Sequence, residues 1–245
     1  MTTDHFGDDV AESYDESAAE MFDLSVVEAT VGFLAELAGN GPLLEFGVGT
    51  GRVAIPLSRR GLSVHGMDLS PAMIARLKAK ADGNAISVTE GDFATTRLDE
   101  KFSLVYLVFN TVMNLTTQEA QISCFENAAH HLLPGGRFVV EVGVPRLRRL
   151  RPGETVVPFL VTPTRLGFDE YEIASQGLVS HHYSVRDGRL EEHSIPFRCV
   201  WPSELDLMAR IAGMHLVGRW ADWDRRPFTA DSDKHISVWE RPHGD

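Results

Sequence analysis

The 245 residues include only two cysteines, Cys124 and Cys199, which form no C-x-x-C pair. That excludes a disulfide framework, and two isolated thiols fit small buried apolar side chains in a reducing compartment. Basic charge is also scarce: 23 Lys and Arg stand against 35 Asp and Glu, a formal charge of −12. A broad nucleic-acid footprint needs clustered Lys and Arg to release counterions, so nucleic acid is set aside as a partner. No apolar run approaches the roughly 18 residues of a membrane-spanning helix, and the start Met1-Thr2-Thr3-Asp4 lacks the basic and apolar regions of a signal peptide. The expectation is a cytoplasmic protein without membrane contact. There is no internal repeat, low-complexity tract or Ser/Gly/Pro-rich linker, and the length suits one α/β domain.

What is present is concentrated between residues 43 and 53. Leu43-Leu44-Glu45-Phe46 reads as a buried strand running into Gly47-Val48-Gly49-Thr50-Gly51, followed by Arg52, Val53 and a helix. Alternating glycines at a strand-to-helix turn let the backbone approach a ligand, and the helix start offers unpaired N–H groups. Dinucleotide sites use G-x-G-x-x-G; here the third glycine comes one residue early, with an acid two residues before the first. A second strand, Leu62 to Met67, ends in Asp68, placed to accept hydrogen bonds from ribose hydroxyls. Ser70 and Pro71 then read as N-cap and first residue of the next helix. A strand at Ile86–Glu90 leads to Gly91-Asp92-Phe93. The run Leu104–Phe109 reads as a central strand buried on both faces and ends in Asn110. A helix over 118–133, the turn Leu133-Pro134-Gly135-Gly136 and a fifth strand at Phe138–Val142 complete the series.

These four ordered motifs, over about residues 42–142, resemble those of the class I S-adenosylmethionine (SAM) methyltransferases. The resemblance implies a Rossmann-like, seven-stranded, mostly parallel sheet with helices on both faces and a small antiparallel β insertion after strand 5. It divides the chain into an N-terminal helical cap (1–40), a SAM-binding core (41–144), a β insertion covering substrate (145–200) and the C-terminal end of the core sheet (201–245). By the same resemblance Glu45, Gly47, Gly49 and Gly51 hold the methionine portion of SAM. Arg52 is a candidate for its carboxylate, Asp68 takes the ribose with Leu69 and Met73 beside it, Asp92 and Phe93 meet the adenine, and Phe109 lines the pocket near the methyl. Tyr14 stands where related enzymes carry a lid tyrosine, and Val48, at a position usually smaller, implies less room on that side. The implied activity is methyl transfer to an oxygen or nitrogen of a small metabolite; self-association into a homodimer is left open. Competing readings are a SAM-binding regulator or subunit without catalysis and a nicotinamide oxidoreductase, the latter disfavoured by the early third glycine.

Phe109-Asn110-Thr111 offers no carboxylate to hold Mg²⁺, so metal independence is expected. The base is sought among ten histidines. His130, His131, His215 and His235 read as structural or surface residues, while His181, His182 and His193 lie on the insertion; Glu141, Asp169 and Tyr171 are weaker candidates. Arg146, Arg148, Arg149 and Arg151 read first as a solvated turn. Along 178–185 the odd positions Val179, His181, Tyr183 and Val185 form the more apolar face. A three-residue loop, Arg186-Asp187-Gly188, would pair odd with odd and set His181 opposite His193 on the buried side. That pattern nominates His181 as the base and His193 as its neighbour, with His182 turned to solvent. Pro56, inside the expected first helix, implies a kink.

Overall fold

The computed structural model describes residues 4–17, 23–186 and 188–244. Met1-Thr2-Thr3 and Asp187, which entered the readings above, lie outside the described residues. The first parallel strands are β1 (Leu43–Phe46), β2 (Val64–Asp68), β3 (Ser87–Glu90), β4 (Phe102–Leu107) and β5 (Leu132–Gly143). With β10 (His215–Trp220) and β11 (Lys234–Glu240) they form one seven-stranded sheet in the order β10-β11-β5-β4-β1-β2-β3. β11 runs antiparallel to both β5 and β10.

Both faces of this sheet are covered, which is why its central strands read as unbroken apolar runs. One face carries α5 (Gln118–His131) and α6 (Pro202–Ile211), packing Phe125, Leu205 and Met208 with Phe46, Phe138 and Trp239. The other carries α2 (Leu24–Ala38), whose Val27, Val31 and Leu34 meet Leu43, Tyr106 and Val238. The strand order reverses direction between β1 and β4, where a crevice opens outside the carboxyl ends.

Pro56 produces no kink. The helix after the glycine loop, α3, begins only at Ala54 and runs to Arg59, so Pro56 falls in its first turn, where no intrahelical N–H bond is lost. β5 is also longer than the sequence implies: Leu132 already pairs with Phe102, and the register shifts before Arg137 meets Leu104. Pro134-Gly135-Gly136 is therefore an irregularity within the strand.

The insertion holds four strands: β6 (Val156–Val161), β7 (Arg165–Glu172), β8 (Gly177–Arg186) and β9 (Arg189–Arg198). β6 carries Pro158, which weakens its strand signal and is tolerated because β6 is an edge strand. In the β8–β9 hairpin Arg186 pairs with Arg189, so odd positions face even ones. His182 lies opposite His193, and His181 opposite Ser194, which overturns the three-residue loop. The sheet turns Val157, Tyr171 and Leu178 onto Met113, Leu147 and Leu150 of the core. Its inward face thus carries Asp169, Tyr171, Ser180, His182 and His193, while His181 points outward. Among the described residues no helix is long and apolar enough to cross a membrane.

Candidate functional site

The glycine loop leaves β1 with three left-handed residues, Gly47, Gly49 and Gly51, at φ of 68°, 53° and 81°. A Cβ on Gly47 would meet Thr111 Cγ2 at 2.6 Å, and one on Gly51 would crowd Leu77 and Ile55 at 3.0–3.1 Å. On Gly49 it would meet nothing within 4 Å. The outer glycines thus seat the loop on its neighbours, and the middle one exposes backbone to an approaching ligand. Val48 turns the other way, and a Cβ added to Gly66 of β2 would lie 2.8 Å from it. Its side chain is buried in the core, so it does not narrow the ligand side as the sequence implied.

Asp68 ties this loop to the next element. Its Oδ2 accepts the Gly49 N–H at 2.7 Å and its Oδ1 the Ser70 N–H at 2.9 Å. Burial holds this carboxyl above its ordinary range despite those donors. Ser70 caps α4 (Pro71–Ala79), its hydroxyl accepting the buried Met73 N–H at 3.3 Å. Leu69 stands between them in the β2–α4 turn.

Glu45 is 3% exposed and paired in register with Tyr106, whose hydroxyl donates to Glu45 Oε2 at 2.9 Å. Burial pushes the Glu45 carboxyl up to about 8, against the pull of Tyr106 and Arg52. The Arg52 guanidinium lies 5.5 Å from the centre of the Phe109 ring. Phe109 and Asn110 are themselves left-handed, at φ of 56° and 60°. Glu141 stabilises that turn: its Oε2 accepts the Phe109 N–H at 3.0 Å and its Oε1 bonds Lys234 at 3.0 Å. Asn110 Oδ1 accepts the Gly143 N–H at 2.7 Å. Glu141 is therefore a positioning group, a role legible only through its partners on distant strands.

On the far side Asp92 Oδ1 accepts the Ala94 N–H at 2.9 Å. Phe93 is drawn into the core, stacked on Phe46 at 5.8 Å, so it backs this turn instead of standing beside it. Asn127 of α5 holds the same turn by donating to the carbonyls of Phe93 and Thr96 at 2.9 and 2.8 Å.

The N-terminal segment roofs the loop. Helix α1 (Asp8–Ser17) is fastened by Asp15, which accepts from Thr50 Oγ1 at 2.6 Å, and the Ser70 hydroxyl donates to the Phe6 carbonyl at 2.7 Å. Tyr14 packs edge-on against Phe6 at 6.1 Å. Burial raises its phenol, with Arg52, Asp68 and Glu45 all near enough to act on it, which puts Tyr14 over the glycine loop.

The inward face of the insertion turns a second set of polar side chains towards the core. Asp169 is bonded by the Ser180 hydroxyl, yet burial raises its carboxyl. Burial pushes the Tyr171 phenol up to about 12. Arg146 acts electrostatically on both groups, so it turns inward where Arg148 and Arg149 are exposed. Burial lowers the His182 and His193 imidazoles, each further repelled by a neighbouring histidine: His193 acting on His182, and His5 on His193. The structure therefore brings His182 and His193 together and takes His181 away, against the sequence nomination.

The remaining histidines are structural or peripheral. His131 is fully buried, donating from Nδ1 to the Asn127 carbonyl and accepting the Leu98 N–H at Nε2. Burial drives His235 down to about 3. His215 is exposed, and His130 sits beside Lys101 at the surface. Both cysteines are buried, which raises their thiols, Cys199 to about 12.

Residues 43–136 match a family model described as a methyltransferase domain. Over 244 residues the chain is 28% identical to cypemycin N-terminal methyltransferase of a Streptomyces species, covering 93% of this chain and 97% of that protein. The solved structure of the CcbJ methyltransferase from Streptomyces caelestis is 36% identical, with a TM-score of 0.87 over 97% of this chain and 98% of that one. The fold also matches CalS10, an amino pentose methyltransferase from Micromonospora echinaspora, at a TM-score of 0.71 and 21% identity over 93% and 96% of the two chains.

Proposed function

The chain belongs to the class I SAM-dependent methyltransferases, and we propose that within this family it methylates an amine nitrogen of a small molecule or peptide terminus without a metal. It is an enzyme whose cofactor is SAM. The residues suit that group. Gly49 opens its Cβ side to a ligand, and Glu45, Asp68 and Asp92 offer acceptors for an ammonium, a ribose diol and an exocyclic amine. When bound, SAM supplies the electrophilic methyl; the protein supplies approach geometry, a dry pocket and a proton acceptor.

The observation that carries the amine reading is the inward row of Asp169, His182 and His193. An amine arrives largely as ammonium and must lose a proton before its lone pair can attack. A carboxylate on the covering face draws in the cation, and imidazoles lowered by burial are neutral at pH 7 and free to take that proton. A hydroxyl acceptor carries no positive charge for that carboxylate to draw in. The relative named for methylating an N-terminus supports the same choice. With SAM, S-adenosylhomocysteine should form on peptide α-amines or amino sugars and not on phenols or simple alcohols, and EDTA should leave the rate unchanged. Turnover confined to hydroxyl acceptors, or loss on chelation with recovery by Mg²⁺, would reject the proposal.

Glu45 adds a linked prediction. With its carboxyl raised from 4.5 to about 8, the apo protein holds that proton across the neutral range. The raised value also fixes the sign for stability: this group favours the fold most below pH 4.5, and that contribution is lost as pH rises towards 8. A cofactor ammonium beside it favours the carboxylate, so binding at pH 7 should release close to one proton, and at pH 9 almost none. Titration calorimetry in buffers of different ionisation enthalpy counts those protons, and the release should vanish in Glu45→Gln.

A further inference from the structure

A short 3₁₀ turn, Thr111–Asn114, follows β4 and Asn110 at the carboxyl end of the sheet. Side chains three residues apart eclipse in such a turn, so each of its edges has a distinct neighbour. Val112 and Leu115 share one edge and enter the core. Thr111 and Asn114 share another, and Thr111 is the residue that a Cβ on Gly47 would strike, so this edge runs from the glycine loop. Asn114 stands on it one turn, or about 6 Å, beyond Thr111. Met113, between them, packs with Val157, Tyr171 and Leu178 of the insertion. The turn therefore lies between the glycine loop and the inward face of the insertion, where a methyl acceptor has to sit.

Only one end of the Asn114 amide is used. Its Nδ2 donates to the Thr111 carbonyl at 3.2 Å, and because a carbonyl cannot donate, that bond settles which end is oxygen. Oδ1 points the other way, buried and without a hydrogen-bond partner among the described residues. The backbone donors beside it are spent, the Met113 N–H on the Asn110 carbonyl at 2.8 Å and the Leu115 N–H on the Val112 carbonyl at 3.3 Å. An acceptor taken out of water and left unpaired is costly, so its retention calls for a donor that arrives from elsewhere. His193 Nε2, on the inward face of the insertion, is in the same condition. Other such atoms lie away from the crevice: Trp223 packs on Phe33 behind the sheet, and Asn127 braces the Phe93 turn from α5.

We infer that Asn114 Oδ1 accepts an N–H of the incoming amine and holds that nitrogen for attack, an assignment that rests on the amine reading above. A nitrogen that has given one proton to an imidazole keeps another hydrogen for Asn114, and its freed electron pair is turned to the methyl. An oxygen acceptor has no hydrogen left once it is deprotonated, and its lone pairs would face Oδ1. A neutral carboxamide also suits the step better than a carboxylate, which would hold the ammonium and make its proton harder to remove.

The test uses the full chain, saturating SAM and the probe amines L-alanyl-L-alaninamide and D-glucosamine. Asn114→Leu keeps the volume and removes the acceptor. It should lower kcat/KM for the amine about 10- to 100-fold, through a raised KM and a reduced kcat, with S-adenosylhomocysteine affinity and circular dichroism unchanged. Asn114→Asp should lower KM at pH 7 and move the acid limb of kcat to higher pH by about one pH unit or more, because the added charge retains the ammonium proton. Unchanged kinetics in Asn114→Leu would mean that only water meets this oxygen. A leucine variant that loses cofactor affinity and activity together, beside an aspartate variant with the wild-type pH profile, would make Asn114 a brace for the turn. Either outcome overturns the assignment and leaves the amine reading intact. Wild-type protein that forms S-adenosylhomocysteine on neither probe would instead remove that reading, and this one with it.

Discussion

Replacing Asp68 by alanine is expected to weaken S-adenosylhomocysteine binding by about 10- to 100-fold, or roughly 1 to 3 kcal/mol. The size follows from two losses at once. The variant removes the acceptor proposed for the ribose, and it also frees the Gly49 and Ser70 N–H groups that this carboxylate holds at 2.7 and 2.9 Å. The glycine loop would then lose its tie to β2, so the binding enthalpy should fall along with the affinity. Asp68→Asn, which keeps one carbonyl acceptor, should lie between wild type and alanine. Titration calorimetry of the three proteins makes the comparison, and an unchanged affinity in Asp68→Ala would remove the ribose assignment.

The second large effect is expected on turnover. His182→Ala and His193→Ala should each lower kcat by about 10²-fold with cofactor affinity intact, and His181→Ala should leave kcat near wild type. His182 and His193 share the inward face as a cross-strand pair, whereas His181 is bound to Ser194 at 2.8 Å and stacked on Phe168 outside. Burial lowers both inward imidazoles from their ordinary value, so wild-type kcat should hold through neutrality and fall only at a pH more acidic than that at which an ordinary histidine protonates. Steady-state kinetics with a saturating amine provide the test. If only His181→Ala is damaging, the inward face is not the substrate face; three near-neutral variants would mean that no insertion histidine takes the proton.

The contrast between these two predictions shows where the sequence is informative. Glu45, the glycines, Asp68 and the Ser70 cap lie in consecutive strand–loop–helix units, so local chemistry alone orders them, and their spacing separates SAM from dinucleotide sites. The insertion is governed by a different constraint. Val179, His181, Tyr183 and Val185 look like a buried row because apolar alternation normally faces a domain's own core, and here it faces away. That single inversion exchanged His181 for His182. The observed pairing of Arg186 with Arg189 leaves no room for the three-residue loop, and Gly188 is left-handed at φ 74°. Other elements depend on partners far along the chain. The Glu141–Lys234 pair, the Asn127 brace and the buried Arg198, bound to Glu204 at 2.7 Å where the insertion rejoins α6, have no local signature.

The fit between Val48 and Gly66 bears on how this enzyme could be altered. To make room for a sulfonium cofactor with a larger transferable group, the obvious first position is the bulkiest residue of the glycine loop, Val48. Its side chain, however, fills the hollow left by the missing Cβ of β2, so trimming it would carve an internal void between two strands, with the destabilisation that such voids bring, and leave the ligand side as narrow as before. Positions 48 and 66 behave as one shared volume: bulk removed at one has to be returned at the other, and a useful redesign would start from Tyr14 or Phe109 instead.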